Sequence, residues 1–288
     1  MSELKPFLKW VGGKRQLIPS IAKYVPDSFG RYYEPFVGAG ALLFFLCPEK
    51  ATINDLNRDL ILAYESIRDE LEKVIDELKI HKSKNSKDYF YKIRAWDLKD
   101  DYESLPRYKK AARLLYMNKV VFNGLYRVNS RGHFNVPYGK YTNPNILDED
   151  LLRKVANYLK KSDIDIISGD FQDAVKNVER GDFVYFDPPY DPLSDTSAFT
   201  NYQKDGFSRE NQIELKRCAD SLVDKGAKVI ISNSNTEFIN SLYNGEIHNS
   251  DKQESNYDIY LVDASRHINS NAKNRGKIKE VLIVSRDS

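Results

Sequence analysis

Residues 31–46, RYYEPFVGAGALLFFL, decide how the rest of the chain is read. The first six, Arg31–Phe36, are aromatic-rich and predict a strand. VGAG follows as a glycine-rich turn, and ALLFFL opens an apolar helix. A strand, a glycine turn and a helix in that order have the shape of a nucleotide-cofactor site. Gly38 and Gly40 let a ligand approach the backbone beside an electropositive helix N-terminus. The dinucleotide fingerprint G-x-G-x-x-G is incomplete, because Leu43 holds the third glycine position. ATIN, 51–54, predicts the next strand and ends at Asp55, where an acid can accept hydrogen bonds from both ribose hydroxyls. The turn and the acid together point to an adenosine-containing cofactor. GGK at 12–14 is not a P-loop, since Leu8 stands where the first glycine is required.

Outward from this stretch, strand-like and helical segments alternate. From Asn57, read as the cap, Leu60, Ile61, Tyr64, Ile67, Leu71, Val74, Ile75 and Leu78 share one helical face. Strands are predicted at 163–171, 182–187, 227–235, 257–263 and 278–285, with helices over Arg209–Val223 and Thr236–Tyr243, stopped by Gly226 and Gly245. That alternation means an α/β fold with a largely parallel sheet. Residues 60–165 break the rhythm: they are mostly helical and carry one long Gly/Asn/Pro-rich stretch, NGLYRVNSRGHFNVPYGKYTNPN. Long structured loops inside a compact fold are usually functional. The expected organisation is a catalytic domain from 1–59 and 166–288, interrupted by an insertion over 60–165.

A second stretch, FVYFDPPY (183–190), drives a hydrophobic strand into an acid and two prolines. A turn at the C-terminal end of a parallel strand sits in the ligand crevice of an open α/β sheet. Prolines pre-set φ and donate no N–H, so their carbonyls can be held outward. Asp187 then offers a carboxylate acceptor, Pro188 a carbonyl acceptor and Tyr190 a flat ring. Two acceptors beside a ring suit an exocyclic amino group on a planar heterocycle. Such an amine is a poor nucleophile, because its lone pair is delocalised into the ring. Hydrogen bonds from its two N–H groups to Asp187 and the Pro188 carbonyl favour a pyramidal nitrogen that can attack a methyl group in line, with the developing positive charge stabilised.

The 288 residues are 41% hydrophobic, enough for a real core, and the net charge is +2. The charge is unevenly distributed. From Arg107 to Tyr141 there are eight basic residues (Arg107, Lys109, Lys110, Arg113, Lys119, Arg127, Arg131, Lys140), no acid, and interleaved aromatics from Tyr108 to Tyr141. Further acid-free basic stretches carry Lys5, Lys9, Lys14 and Arg15, and Arg266, Lys273, Arg275, Lys277 and Lys279. A near-neutral protein can in this way present one basic face to a polyanion. The longest apolar run, Ala39–Cys47, is too short to span a membrane, and MSELKPFLKWVGGKRQ lacks the h-region of a secretory leader. Cys47 and Cys218 are expected to be buried core thiols in a reducing compartment, the cytoplasm. His81, His133, His248 and His267 have no metal-ligand spacing, so no metal is expected.

FLKWVGGKR (7–15), YEPFVGAGAL (33–42), NGLYRVN…FNVPYGKY (123–141) and FDPPY…SAFTNY (186–202) together resemble the DNA adenine methylase family of N6-adenine methyltransferases, in particular members that modify GATC. The resemblance spans nearly the whole chain. It implies a Rossmann-like S-adenosylmethionine-dependent methyltransferase sheet with an inserted, mostly helical target-recognition domain. It implies S-adenosylmethionine contacts from Trp10, Lys14, Phe36, Gly38, Gly40, Asp55, Asp170 and Phe171. It also implies that Asp187, Pro188 and Tyr190 hold the flipped target base, Asp187 lying beside the cofactor as well. Within the insertion, Arg127 matches a guanine-reading arginine, Leu125 and Pro137 match positions that touch a thymine methyl, and Lys9 matches a reader of the outer base pair. Asn123, Asn129, Asn135 and Lys140 match backbone or base contacts. Phe122 falls where many relatives have a tyrosine that wedges into the duplex; the ring is kept and the hydroxyl lost. Read on their own, Phe122, Leu125 and Pro137 also suit the core of the insertion, and Trp10 suits either a pocket wall or plain core.

The expected activity is methyl transfer from S-adenosylmethionine to N6 of adenine in double-stranded DNA, within GATC, after the base leaves the stack. A monomer is expected, with a restriction endonuclease as a functional partner where one exists. The alternatives are a cofactor-binding DNA regulator without turnover, and amino-group methylation of cytosine N4, RNA or a glutamine amide. An NAD-dependent dehydrogenase is disfavoured by Leu43 and gives DPPY no task.

Overall fold

A computed structural model of the chain describes residues 4–10, 12–193, 207–245, 255–265 and 277–286. SAFTNY, His248, His267 and the basic residues Arg266, Lys273 and Arg275 lie outside the described residues.

Among the described residues, apolar and β-branched runs become β1 (Tyr32–Glu34), β2 (Lys50–Asn54), β3 (Asp163–Ile167), β4 (Phe183–Phe186), β5 (Lys228–Ser234), β6 (Tyr257–Ser265) and β7 (Lys277–Ser285). They form one seven-stranded sheet in the order β3-β2-β1-β4-β5-β7-β6. β1 runs parallel to β2 and β4, and β4 parallel to β5, with Val184 opposite Val229. β7 is antiparallel to both β5 and β6. The sheet is therefore α/β and mostly parallel, as expected, with an antiparallel edge. All four β4 residues are buried, which is why FVYF reads as a continuous apolar run rather than an alternating one. β4 thereby delivers Asp187 at its C-terminal end.

The chain divides into two compact units, Met1–Lys14 with Val37–Glu49 and Asn54–Gly169, and Arg15–Phe36 with Lys50–Ile53 and Asp170–Ser288. In the second, Val184, Phe186, Val229, Ile231, Val281 and Ile283 of the sheet pack with Leu215, Ala219 and Leu222 of a long helix, Arg209–Asp224. Burying one such Leu, Val or Ile side chain contributes roughly 1.5–3 kcal/mol. That helix starts on a capping box, Ser208 with Asn211, and stops before Gly226, whose φ is 88°.

The first unit is mainly helical. The periodic run that begins at Asn57 makes two helices rather than one, Arg58–Asp69 and Leu71–Lys84. Glu70 leaves helical geometry between them (φ −130°, ψ 32°), so each apolar stripe packs separately on the helix Arg107–Val120. Asn57 caps the first, accepting from Leu60 N–H at 3.1 Å.

Half of the basic stretch is committed inside this unit. Arg113 is buried, pairs with Asp97 at 3.0 Å, and donates to the carbonyls of Ile93 and Arg94. Lys110 pairs with Glu103 at 2.7 Å, Arg107 lies 3.5 Å from Glu65, and Lys119 donates to the Phe7 carbonyl. The expected basic face is therefore narrower than eight residues; the exposed remainder is Arg127, Arg131 and Lys140. Tyr116 and Phe134 of the interleaved aromatics are core. No helix among the described residues is long and apolar enough to cross a membrane. Cys47 and Cys218 are half-buried rather than fully buried, and burial raises the Cys218 thiol to about 11, which makes it unreactive.

Candidate active site

In the first unit, the glycine turn and the acid that follows β2 are built as one piece. Asp55 Oδ2 accepts from Gly38 N–H at 3.0 Å, and Oδ1 accepts from Asn57 N–H at 2.9 Å. Each carboxylate oxygen keeps a second lone pair. Burial raises the Asp55 carboxyl above its ordinary value, and the two backbone N–H groups oppose that rise. Tyr64 Oη donates to the Gly38 carbonyl at 3.1 Å. Gly40 has φ 69°, and a Cβ there would lie 2.7 Å from Tyr64 Oη, so the turn excludes any side chain at this position. Trp10 is half-buried and packs against Gly38, with its ring 5.2 Å from that of Tyr126; Lys14 is buried. Ser168 Oγ donates to the Asp55 carbonyl, and Asn54 Nδ2 to the Gly169 carbonyl, so the SGDF segment is tied to the end of β2.

In the second unit, Phe36 stacks on Phe171 with ring centroids 5.5 Å apart and 26° between planes. Phe207 meets both edge-on, at 5.7 Å from Phe36 and 6.0 Å from Phe171. Phe207 was not singled out in the sequence; only its aromatic character marked it. Asp170 is exposed, and its Oδ1 caps the following turn through Gln172 N–H at 2.8 Å.

At the end of β4, Asp187 is half-buried and Pro188 is buried. Tyr190 donates its hydroxyl to Glu280 Oε2 at 3.0 Å. Burial, and next the Asp187 charge, hold the Tyr190 phenol far above its ordinary value; burial and Asp187 do the same to Tyr185. Both rings stay neutral, and a carboxylate whose charge the buried Tyr185 and the half-buried Tyr190 both feel sits in a poorly screened setting. Past Tyr190, sequence reasoning missed a buried amide pair. Gln212 Nε2 donates to the Pro189 carbonyl at 2.8 Å, and Asn233 Oδ1 accepts from Asp191 N–H at 3.1 Å. Only burial, 0% exposure for both amides, distinguishes them from surface residues.

The Gly/Asn/Pro-rich stretch folds back on itself through the bridges Val121–Tyr138 and Val128–Phe134. Asn118, buried, holds its base: it accepts from Lys9 N–H and donates to the carbonyls of Lys9 and Gly124. Gly124 has φ 68°, and a Cβ there would lie 2.6 Å from the Lys9 Cβ, so the close approach of these two motifs requires glycine. Lys9 Nζ sits 5.6 Å over the Tyr141 ring. Arg127 is exposed and donates from Nε to Asn135 Oδ1 at 2.7 Å, which leaves the Nη1/Nη2 end to address a ligand. Asn129 braces the turn, its Oδ1 accepting from Arg131 and His133 N–H. Asn123 has φ 52° and its N–H donates to Tyr141 Oη. Phe122 is 54% exposed, Pro137 and Lys140 are exposed and Leu125 is half-buried, so Phe122 and Pro137 are not core residues. Among the described residues no group of three His, Cys, Asp or Glu side chains is arranged to hold a metal.

Comparison with known proteins identifies the family. Residues 10–256 match the model of the D12 class N6 adenine-specific DNA methyltransferase family. The chain is 44% identical over 282 residues to the type II methyltransferase M1.LlaDCHI of Lactococcus lactis subsp. cremoris, covering 98% of this chain and 95% of that protein. It is 38% identical to the type II methyltransferase M.MjaIII of Methanocaldococcus jannaschii, over 98% and 99% of the two chains. With the DNA adenine methylase of Escherichia coli the identity is 31%, over 98% and 95%. A match of this extent, on a mostly parallel sheet that carries DPPY at a strand end, is not a local coincidence. The chain belongs to the D12 class of N6 adenine-specific DNA methyltransferases, and is an enzyme that methylates adenine in DNA.

Proposed function

We propose that the enzyme transfers a methyl group from S-adenosylmethionine to N6 of an adenine extruded from duplex DNA, within GATC. The observation that carries this reading is the Asp187 carboxylate, half-buried at the end of β4 and followed by a buried Pro188 and a neutral Tyr190. Inside a duplex N6 is paired, so the base must leave the stack to meet these groups.

The chain's own groups suit the donor. Phe36 and Phe171, stacked, offer aromatic faces to an adenine ring, and Asp55 keeps a lone pair on each oxygen for ribose hydroxyls. Trp10, Lys14, Gly38, Gly40 and Asp170 complete the proposed donor contacts. When bound, S-adenosylmethionine supplies an electrophilic methyl carried on a sulfonium. Asp187 accepts one N6–H, the Pro188 carbonyl accepts the other, and the amine nitrogen is held pyramidal with its lone pair localised. The Asp187 charge stabilises the positive charge that grows on N6. Tyr190 gives the flipped base a flat neutral face.

Residues 60–165 are proposed to read the target. Arg127 addresses a guanine through its Nη1/Nη2 end, Leu125 and Pro137 meet a thymine methyl, and Lys9 reads the outer pair. Phe122 wedges into the duplex, and Asn123, Asn129, Asn135 and Lys140 line the backbone or bases. The likeness to type II methyltransferases supports a restriction endonuclease as functional partner.

Asp55→Ala is expected to weaken S-adenosylmethionine binding roughly tenfold, about 1.4 kcal/mol, measured by calorimetry; unchanged affinity removes the ribose role. In the unaltered enzyme the carboxylate form binds the hydroxyls. Because burial raises this carboxyl, donor affinity declines on acidification at a higher pH than an ordinary aspartate would impose. The direct test of the reading is transfer of labelled methyl from S-adenosylmethionine to a GATC duplex. A duplex already methylated at N6 on both strands is expected to be inert, and equal labelling of both duplexes overturns the reading.

A further inference from the structure

Tyr190 is flanked by two peptide units that side-chain amides hold, one from a helix and one from a strand. Before it, the Pro189 carbonyl accepts from Gln212 Nε2 at 2.8 Å; after it, Asp191 N–H donates to Asn233 Oδ1 at 3.1 Å. The two amides also hold each other, Asn233 Nδ2 donating to Gln212 Oε1 at 3.0 Å. Both side chains are 0% exposed. Their orientations are forced in sequence. A carbonyl only accepts, so Gln212 must present its NH2 to Pro189 and its oxygen to Asn233. Asn233 must then present its own NH2 to Gln212, which leaves its oxygen for Asp191 N–H. Asn233 Oδ1 also accepts from Ser234 N–H at 2.8 Å, and Asp191 Oδ1 accepts from Arg209 Nε at 3.1 Å.

A buried amide chain of this kind is costly unless every member is paired, and here it spans a helix (Arg209–Asp224), a strand (β5) and the turn after β4. The bonds of the two amides go to the backbone on either side of Tyr190 rather than to the Asp187 carboxylate or the Pro188 carbonyl proposed to hold the base. What they fix are the peptide planes on both sides of Tyr190, and hence its φ and ψ. Upstream, the Pro189 ring fixes φ, so ψ of Pro189 is the one soft dihedral between the held Pro189 carbonyl and the Pro188 carbonyl.

We infer that Gln212, oriented by Asn233, is a positioning residue for methyl transfer: its one-way hydrogen-bond relay locks Tyr190 and the Pro188 carbonyl in the geometry that grips the target amine. This rests on the reading of Asp187, Pro188 and Tyr190 given above. Binding does not require the lock; productive alignment does.

The test uses the full-length enzyme and compares Gln212→Glu, Gln212→Met and Asp187→Ala with the unaltered chain. Donor affinity, GATC-duplex affinity and the single-turnover methylation rate are each measured from pH 6 to pH 8.5. Gln212→Glu is isosteric but presents a carboxylate to the Pro189 carbonyl, whereas its protonated form can donate again. Asp191, ion-paired with Arg209, lies on the network, Glu280 accepts from Tyr190 and Asp187 stands three residues before it; burial raises the introduced carboxyl. The expected result is a roughly ten- to thirtyfold slower methylation at high pH with both affinities within about threefold, the cost of a modest misplacement of reacting groups. The ratio of variant to unaltered rate then recovers as pH falls. Gln212→Met, which has no donor at any pH, is expected to show the same loss without recovery.

A pH-independent rate ratio for Gln212→Glu, an undiminished rate for Gln212→Met, or losses confined to affinity overturns the inference. Failure of both variants to fold assigns the pair to stability alone and overturns it too. If Asp187→Ala methylates normally, the reading of the DPPY turn is what fails. If Asp187→Ala is inactive while both Gln212 variants are normal, only the positioning role fails.

Discussion

Replacing Asp187 with alanine is expected to leave S-adenosylmethionine and DNA affinities within a few-fold of the unaltered enzyme while lowering the methylation rate by about 100- to 1000-fold. That is the range lost when one preorganised partner of a developing charge is removed. The expectation follows from where the carboxylate sits. It emerges from a strand whose four residues are fully buried, and its charge is felt by the phenols of buried Tyr185 and half-buried Tyr190. In such a setting a charge acts on a nearby developing cation with little screening by water. Adenine N6 is a weak nucleophile, so the interaction matters most in the transition state and least in ground-state binding. Asp187→Asn keeps an acceptor and loses the charge, so its rate is expected to fall between the two. A normal single-turnover rate for Asp187→Ala refutes the acceptor role.

Arg127→Ala is expected to relax discrimination at one guanine by about 1–3 kcal/mol, the worth of a bidentate arginine contact to O6 and N7. The structure adds a reason for treating this arginine as a reader rather than a phosphate ligand. Its Nε is held by Asn135 at 2.7 Å, so the guanidinium plane is oriented before any ligand arrives. Phosphate contacts need charge, not a fixed plane. Relative methylation rates on GATC and on duplexes with one guanine changed are the measurement. Unchanged site preference with weaker binding to all sequences would make Arg127 a phosphate contact instead.

Much of this was legible in the sequence because the signals are local. FVYF reads as a buried strand because both of its faces are covered, and DPPY at its end cannot continue a strand. The glycine turn and Asp55 were readable from spacing, and the structure joins them by the 3.0 Å bond from Gly38 N–H. What the sequence hid depends on partners far along the chain. The basic count over 107–141 overstated the free charge, since Arg113 is taken by Asp97 and Lys110 by Glu103. The break at Glu70 has no glycine or proline to announce it; the apolar period simply continues through it. Gln212 and Asn233 stand 21 residues apart, and nothing in either neighbourhood marks a side-chain amide as buried. Asn118 is the same case, an ordinary helical asparagine until Lys9 and Gly124 fold onto it.

The most direct test is base-resolved mapping of methyl marks on a random-sequence duplex pool after incubation with the enzyme and S-adenosylmethionine. N6-methyladenine confined to GATC is the expected outcome. Marks on cytosine N4, or on adenines that share no common site, would contradict the target proposed for Asp187 and the reading assigned to Arg127.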